Sequence, residues 1–262
     1  MSIGSALDYL PIWSLFWIFV GTLLLMIEVG YRVGRYRRKQ NLQEMETPVG
    51  TIVGATLGML GFILAFTFGL AAERFDARRQ IVVEEANAIG TTYLRAGLLP
   101  DDSSTEKVRK LLDEYVDLRI KTVETGNVEL SLKPVERVQD QLWEIAETVG
   151  RNNPNSVAVA SFTESLNEMI DIHSRRILVA LRNRLPVSLW TTLFWVTCFT
   201  MIGVGYHEGL CKSKRSPSIL VMIFSFCIVL KLIADLDRPQ DGELRVSQEA
   251  IERLQEMIHG NS

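Results

Sequence analysis

The 262-residue sequence contains few of the residues that most metal and disulfide sites need. It has three cysteines, and two of them lie in apolar stretches, so no disulfide framework is indicated. None of its three histidines has a second histidine or cysteine at the spacing of a metal site; they are His173, His207 and His259. We therefore expect no metal ion and no cofactor.

Catalytic motifs and an excess of basic residues are also missing. The chain has no GxSxG elbow, Walker loop, HExxH helix or dinucleotide fingerprint, so we expect that it is not an enzyme. Lys and Arg number 28 against 31 Asp and Glu, and this balance excludes the basic footprint of a nucleic-acid-binding protein. Ordinary contents of Gly and Pro exclude collagen-like and disordered classes.

Long apolar runs are what the sequence does contain. Hydrophobic residues make up 47% of the chain and charged residues 23%, and the two groups are separated along it. Four stretches have the length and composition of membrane spans, which need about 20 apolar residues; they lie near 10–31, 49–72, 185–206 and 216–234. The first is followed, not preceded, by basic residues, so we do not expect it to be a cleavable signal peptide.

The charged region between the second and third spans has helical periodicity throughout. Ser103–Glu106 has the pattern of a capping box that opens a helix, and Pro134 suits the first position of the next helix. Four helices here predict a bundle outside the bilayer. In the tail, Ile251, Leu254 and Ile258 predict one short amphipathic helix.

The predicted fold class is an all-α integral membrane protein, with four transmembrane helices and a helical bundle between spans two and three. The predicted organisation has five parts. These are the first span with a basic loop (1–47), the second span (48–72), the extramembrane four-helix region (73–185), the third and fourth spans (186–236), and the tail with its short helix (237–262).

Charge in the short loops bears on orientation. Basic residues at 32–39 and 212–215 place these loops in the cytoplasm and the bundle outside it, by the positive-inside rule. Arginines at the membrane-proximal ends of the bundle nearly balance this count. The side of the membrane that holds the bundle is left open.

The second span is the most unusual of the four. Gly50, Gly54 and Gly58 form a double GxxxG row, whose usual role is close helix packing. Alternatively, Gly54 and Gly58 line a pore in which Phe62 and Phe66 form a hydrophobic constriction. Directly after this span, arginines either concentrate anions at a pore mouth or anchor to lipid headgroups; they are Arg74, Arg78 and Arg79.

Several segments resemble the bestrophin-like family of bacterial and plastid membrane proteins. They are FTFGLAAERFDARR (66–79), IVVEEANAIGTTYLRAGLLP (81–100), LLDEYVDLRI (111–120) and LDRPQDGELRVSQEA (236–250). The positions that carry the family pattern are Glu85, Asn87, Gly90, Tyr93, Arg95, Asp237, Arg238, Pro239 and Arg245.

A more distant similarity is to the bestrophins, which are pentameric anion channels with a pore lined by span two. The stretch at 74–78 is one residue shorter than its bestrophin counterpart, and the acidic calcium clasp of animal bestrophins has no match. The resemblance implies a homo-oligomer, a pentamer if it assembles like bestrophins, in the bacterial inner (plasma) membrane, with the lipid bilayer and small anions as partners. The alternative hypothesis is a membrane sensor or scaffold whose helical bundle binds a protein or a small ligand.

Overall fold

A computed structural model describes residues 11–40, 46–125, 128–182, 185–211, 217–238 and 247–260. Helices account for 92% of these residues, and no strand occurs among them, which confirms the all-α prediction. The described helices are α1 (Ile12–Lys39), α2 (Glu46–Ala96), α3 (Asp102–Thr125), α4 (Val128–Asn152), α5 (Val157–Arg182), α6 (Val187–Leu210), α7 (Ser218–Asp237) and α8 (Glu249–Gly260).

Four of these helices are long and apolar enough to cross a membrane, as predicted. They are α1, α2, α6 and α7. The predicted basic loop at 212–215 lies outside the described residues. The chain divides into two compact units, of which unit 1 comprises Met1–Phe75 and Arg184–Arg245, and unit 2 comprises Asp76–Asn183 and Val246–Ser262.

Unit 1 is held together by the close approach of α1 and α6. Gly30 and Gly34 on α1 face Gly205 and Gly209 on α6, with the two backbones in direct contact. A methyl group on Gly205 would overlap the carbonyl oxygen of Ile27. Because lipid tails are as apolar as leucine, helices in a bilayer associate through close packing of this kind, for which small residues are required.

Close helix packing was one of the two roles considered for the glycine row of the second span. The structure shows such packing at one of the three positions of the row. A Cβ at Gly50 would lie 2.9 Å from His207 Nε2, so this glycine does pack against α6. Gly54 and Gly58 have no atom within 4 Å of an added Cβ. The close helix pair of unit 1 is thus formed by GxxxG pairs on α1 and α6, which the sequence analysis did not single out.

Unit 2 is a helical bundle with one apolar core. It combines the second part of α2 with α3, α4, α5 and α8. Each helix contributes fully buried residues, including Ile89, Leu112, Leu142, Phe162 and Ile251. The tail helix α8 is therefore part of the core and not an appendage, since Leu254 and Ile258 are buried in the same cluster.

Two helix starts differ from those that the sequence predicted. Asp101, not Ser103, caps α3, since its carboxylate accepts the backbone N–H groups of Ser103 and Ser104 at 3.3 and 3.0 Å. Helix α4 begins at Val128, so Pro134 lies inside it and not at its first position. The proline removes one backbone hydrogen bond, and the helix continues through it.

Replacing Asp101 with alanine is expected to lower the melting temperature of unit 2 by a few degrees at neutral pH. Hydrogen bonds from Ser104 hold the pKa of Asp101 below its ordinary value of 3.8. The cap therefore stabilises the helix fully above that value and loses its effect as the pH falls through the lowered pKa. Melting curves of both proteins should differ clearly at pH 7, and the difference should shrink at pH 2. An equal difference at both would contradict the assignment of the cap.

Candidate functional site

The predicted pore residues lie on one face of α2. Gly54, Gly58, Phe62 and Phe66 follow one another at intervals of four residues, which places them along one slanted stripe of the helix. Phe62 is 73% exposed and Phe66 58% exposed. We call these four residues the α2 stripe.

The opposite face of the same helix is buried. Leu60, Leu64 and Ala71 lie in the core of unit 1. Thr67 is also buried, and its hydroxyl donates to the carbonyl oxygen of Ile63 at 2.7 Å. The unit thus covers one side of α2 and leaves the α2 stripe largely exposed.

The α2 stripe is suited to shaping a passage, and it has no group for chemistry. Its two glycines expose backbone and leave space, and its two phenylalanines add bulk one helical turn apart. None of the four residues ionises. Facing phenylalanines in several subunits would form the kind of hydrophobic constriction that gates by dewetting.

The three arginines that follow the second span do not share one surface. Arg74 is half-buried and belongs to unit 1. Arg78 is buried and Arg79 is exposed, both in unit 2. Because adjacent helical residues point about 100° apart, Arg79 alone presents its full charge to solvent.

Unit 2 contains a buried ionic network centred on Glu85. Arg119 binds this carboxylate with two parallel hydrogen bonds, of 2.9 Å from Nε and 3.0 Å from Nη2. Arg176 Nε lies 3.4 Å from the second carboxylate oxygen, and His173 Nδ1 lies 3.5 Å from the first. The side chains of Glu85 and Arg119 are 0% and 1% exposed. Fork-to-fork geometry is the strongest arrangement for such a pair.

Tyr115 completes this network as a neutral hydrogen-bonding group. Burial and the neighbouring Glu85 carboxylate raise the pKa of Tyr115 well above its ordinary value. Its hydroxyl lies 3.4 Å from Glu85 Oε1 and 3.1 Å from His173 Nδ1. The network therefore links α2, α3 and α5 in the core, and we interpret its role as structural.

The other family-pattern residues in α2 have separate structural contacts. Gly90 faces α8, where an added Cβ would lie 3.3 Å from Leu254 Cδ1. The ring of Tyr93 is buried, and the Arg109 guanidinium stands 5.0 Å from its centre. Arg95 donates to the backbone carbonyl of Ser161 at 2.9 Å. Asn87 is exposed.

Near the end of α7, Asp237 joins α6 and α7. Its carboxylate accepts the backbone N–H of Leu185 at 2.7 Å and the indole N–H of Trp190 at 3.3 Å. Arg238 follows as a buried residue. Pro239 and Arg245 lie outside the described residues. The family-pattern residues that the structure describes are thus spread over both units and form no common site.

The fold brings together one group of potential metal ligands that sequence spacing did not reveal. Oxygen and nitrogen atoms of Asp113, Asp117 and His259 lie within 4.8 Å of one another. His259 Nε2 is 3.0 Å from Asp113, and the Gln255 amide donates to Asp117 at 2.8 Å. Both carboxylates are thus used in docking α8 onto α3.

Sequence reasoning also missed the partners of Glu85. Arg119 adjoins the apolar stripe of α3, and the sequence analysis considers His173 only as a metal ligand. The sequence did contain a signal for this pair. Glu85 on α2 and Arg119 on α3 both fall on the buried side of the helical pattern, where a charged residue needs a partner.

Four candidate spans, with a helical unit encoded largely between the second and third, define a multi-pass α-helical membrane protein. A family model described as the Bestrophin-like domain matches residues 16–251. The chain belongs to this bestrophin-like family. Neither a curated protein nor a solved structure matches it.

Proposed function

We propose that the protein is an oligomeric ion channel for small anions, with α2 lining the pore. The observation that carries this proposal is the exposed α2 stripe. In the most apolar window of α2 only 11% of residues are buried, against 33% to 39% in the other three spans. The second span is therefore the one that a single chain covers least.

In a closed ring of subunits, the α2 stripes of the several chains would face one another and line a central pore. Around a common axis, Phe62 and Phe66 would face their counterparts and narrow the path, while Gly54 and Gly58 would keep it wide. Membership of the bestrophin-like family supports a ring, which we propose to be a pentamer in the bacterial inner membrane. We propose no catalytic role for this assembly.

The test is chloride flux through the purified full-length protein in liposomes. Phe62→Ala and Phe66→Ala are each expected to raise the flux several-fold, because a smaller side chain widens and wets the constriction. Phe199→Ala is the matched control, since Phe199 is 65% exposed on α6 of the same unit and outside the α2 stripe. It should leave the flux unchanged.

Native mass spectrometry of the same samples gives the number of subunits. A closed ring with chloride flux supports the channel. A monodisperse monomer without flux overturns it. A dimer without flux, together with a ligand that raises the melting temperature of unit 2, would favour the sensor hypothesis instead.

A further inference from the structure

We propose that a groove in unit 1 binds a phospholipid with a primary-amine headgroup, of the phosphatidylethanolamine class. The groove is a cavity of about 640 Å³ among α1, α6 and α7. It is lined by Gly21, Leu24, Leu25, Ile27, Glu28, Glu208, Pro217, Ile219 and Leu220. The site is separate from the α2 stripe, and its occupancy does not depend on conduction.

The long wall of this groove fits an acyl chain. Gly21, Leu24 and Leu25 lie at helical spacing on one side of α1, and Leu220 faces them from α7. An added Cβ at Gly21 would have no atom within 4 Å, so the missing side chain leaves a furrow between its neighbours. A lipid tail is the apolar occupant that a membrane supplies at this surface.

The polar end of the groove carries two carboxylates. Glu28 accepts a hydrogen bond from Arg32 Nε at 2.9 Å. Glu208 is half-buried near the end of α6, and among the described residues its carboxylate has neither an ion-pair nor a hydrogen-bond partner. A partly buried carboxylate without a cation is unfavourable. A cationic group in the groove would relieve this cost.

The headgroup class follows from the donor that Glu208 lacks and from the nearby Glu28 carboxylate, which can accept more than the one hydrogen bond from Arg32. A primary ammonium carries three N–H donors, enough to reach both Glu28 and Glu208. A choline group has no N–H donor and is held in proteins by aromatic rings, and none occurs among the described residues that line this groove. Arg32, exposed one turn beyond Glu28, is placed to meet the lipid phosphate.

The experiment is native mass spectrometry of the full-length protein in detergent, titrated with dioleoyl phosphatidylethanolamine or dioleoyl phosphatidylcholine. The ethanolamine lipid should bind about tenfold more tightly, which is the effect of one charge-assisted hydrogen bond. Glu208→Gln should abolish this preference. Gly21→Leu should weaken binding of both lipids, because its Cβ would meet no atom within 4 Å and the remaining side chain adds bulk to the lining of the groove.

Two control variants isolate the groove. Glu73→Gln removes an exposed carboxylate of α2 that does not line it, and Ser225→Leu adds bulk on an exposed position of α7 outside it. Both should bind the lipids as the unaltered protein does. Equal affinity for the two lipids in the unaltered protein, or a preference that survives in Glu208→Gln, overturns the proposal. If Glu208→Gln does not fold, the comparison of the two lipids on the unaltered protein decides.

Discussion

Arg119→Met is expected to lower the free energy of unfolding of unit 2 by about 3 kcal/mol, the lower end of the cost of breaking a buried ion pair, because Arg176 remains near the Glu85 carboxylate. Arg119 supplies both short hydrogen bonds to Glu85. The remaining cation near that carboxylate, Arg176, is 3.4 Å away and makes no such fork. Methionine keeps most of the side-chain volume, so the loss reports on charge and hydrogen bonding.

The free energy of unfolding of unit 2 can be measured by amide hydrogen exchange at increasing denaturant concentrations. The exchange is followed on peptides from α3 and α5. Arg151→Met is the matched control: Arg151 pairs with Glu147 at 3.0 Å, but its side chain is 80% exposed. An exposed pair of this kind contributes less than about 1 kcal/mol. Similar losses for both variants would contradict the structural role assigned to the network.

The double variant Glu85→Leu/Arg119→Met sharpens the test. Replacing both partners removes the carboxylate that Arg119→Met leaves without its two short hydrogen bonds, although Arg176 then loses its partner at 3.4 Å. The loss in the double variant should therefore be smaller than the sum of the two single losses. Strict additivity of the two single losses would mean that Glu85 and Arg119 are not coupled.

Gly205→Ala is expected to destabilise unit 1 by about 3 kcal/mol, at the upper end of the usual cost of overpacking. The new methyl group would overlap the carbonyl oxygen and carbon of Ile27, which are backbone atoms and cannot turn aside. The two helices must separate to admit it, and the contacts of Gly209 with Tyr31 and Arg35 are then lost as well.

Unfolding by a titration of sodium dodecyl sulfate into detergent micelles measures the stability of unit 1. Gly21→Ala is the control, since nothing lies within 4 Å of its added Cβ and alanine favours the helix. It should leave stability equal or slightly higher. A loss in Gly21→Ala as large as that in Gly205→Ala would show that the cost is not specific to the α1–α6 contact.

The spans were predictable because hydropathy is a local property of the chain. A window free of charge identifies a membrane helix without any knowledge of its neighbours, and α1, α2, α6 and α7 were all found in this way. The start of a helix depends on only one or two hydrogen bonds. The capping residue of α3 was predicted wrongly because Asp101 and Ser103 both suit that position.

The contacts that specify the fold are not local, and most were missed. Glu85 and Arg119 are far apart in sequence, and only the packing of α2 on α3 joins them. For the α2 stripe, the pattern named residues of which Phe62 and Phe66 are exposed in the structure, and their role in a pore stays a prediction. In the proposed ring, a second chain would cover Phe62 and Phe66, and no periodicity within one chain encodes such a contact.

The place of α8 in the core of unit 2 also sets the order in which the protein is completed. Ile251, Leu254 and Ile258 are synthesised after α6 and α7, yet they fill a core whose other members come from α2 to α5. A nascent chain carrying the first seven helices still exposes the apolar surface that these three residues later cover. Unit 2 can therefore reach its final packing only after α7 and α8 have been synthesised.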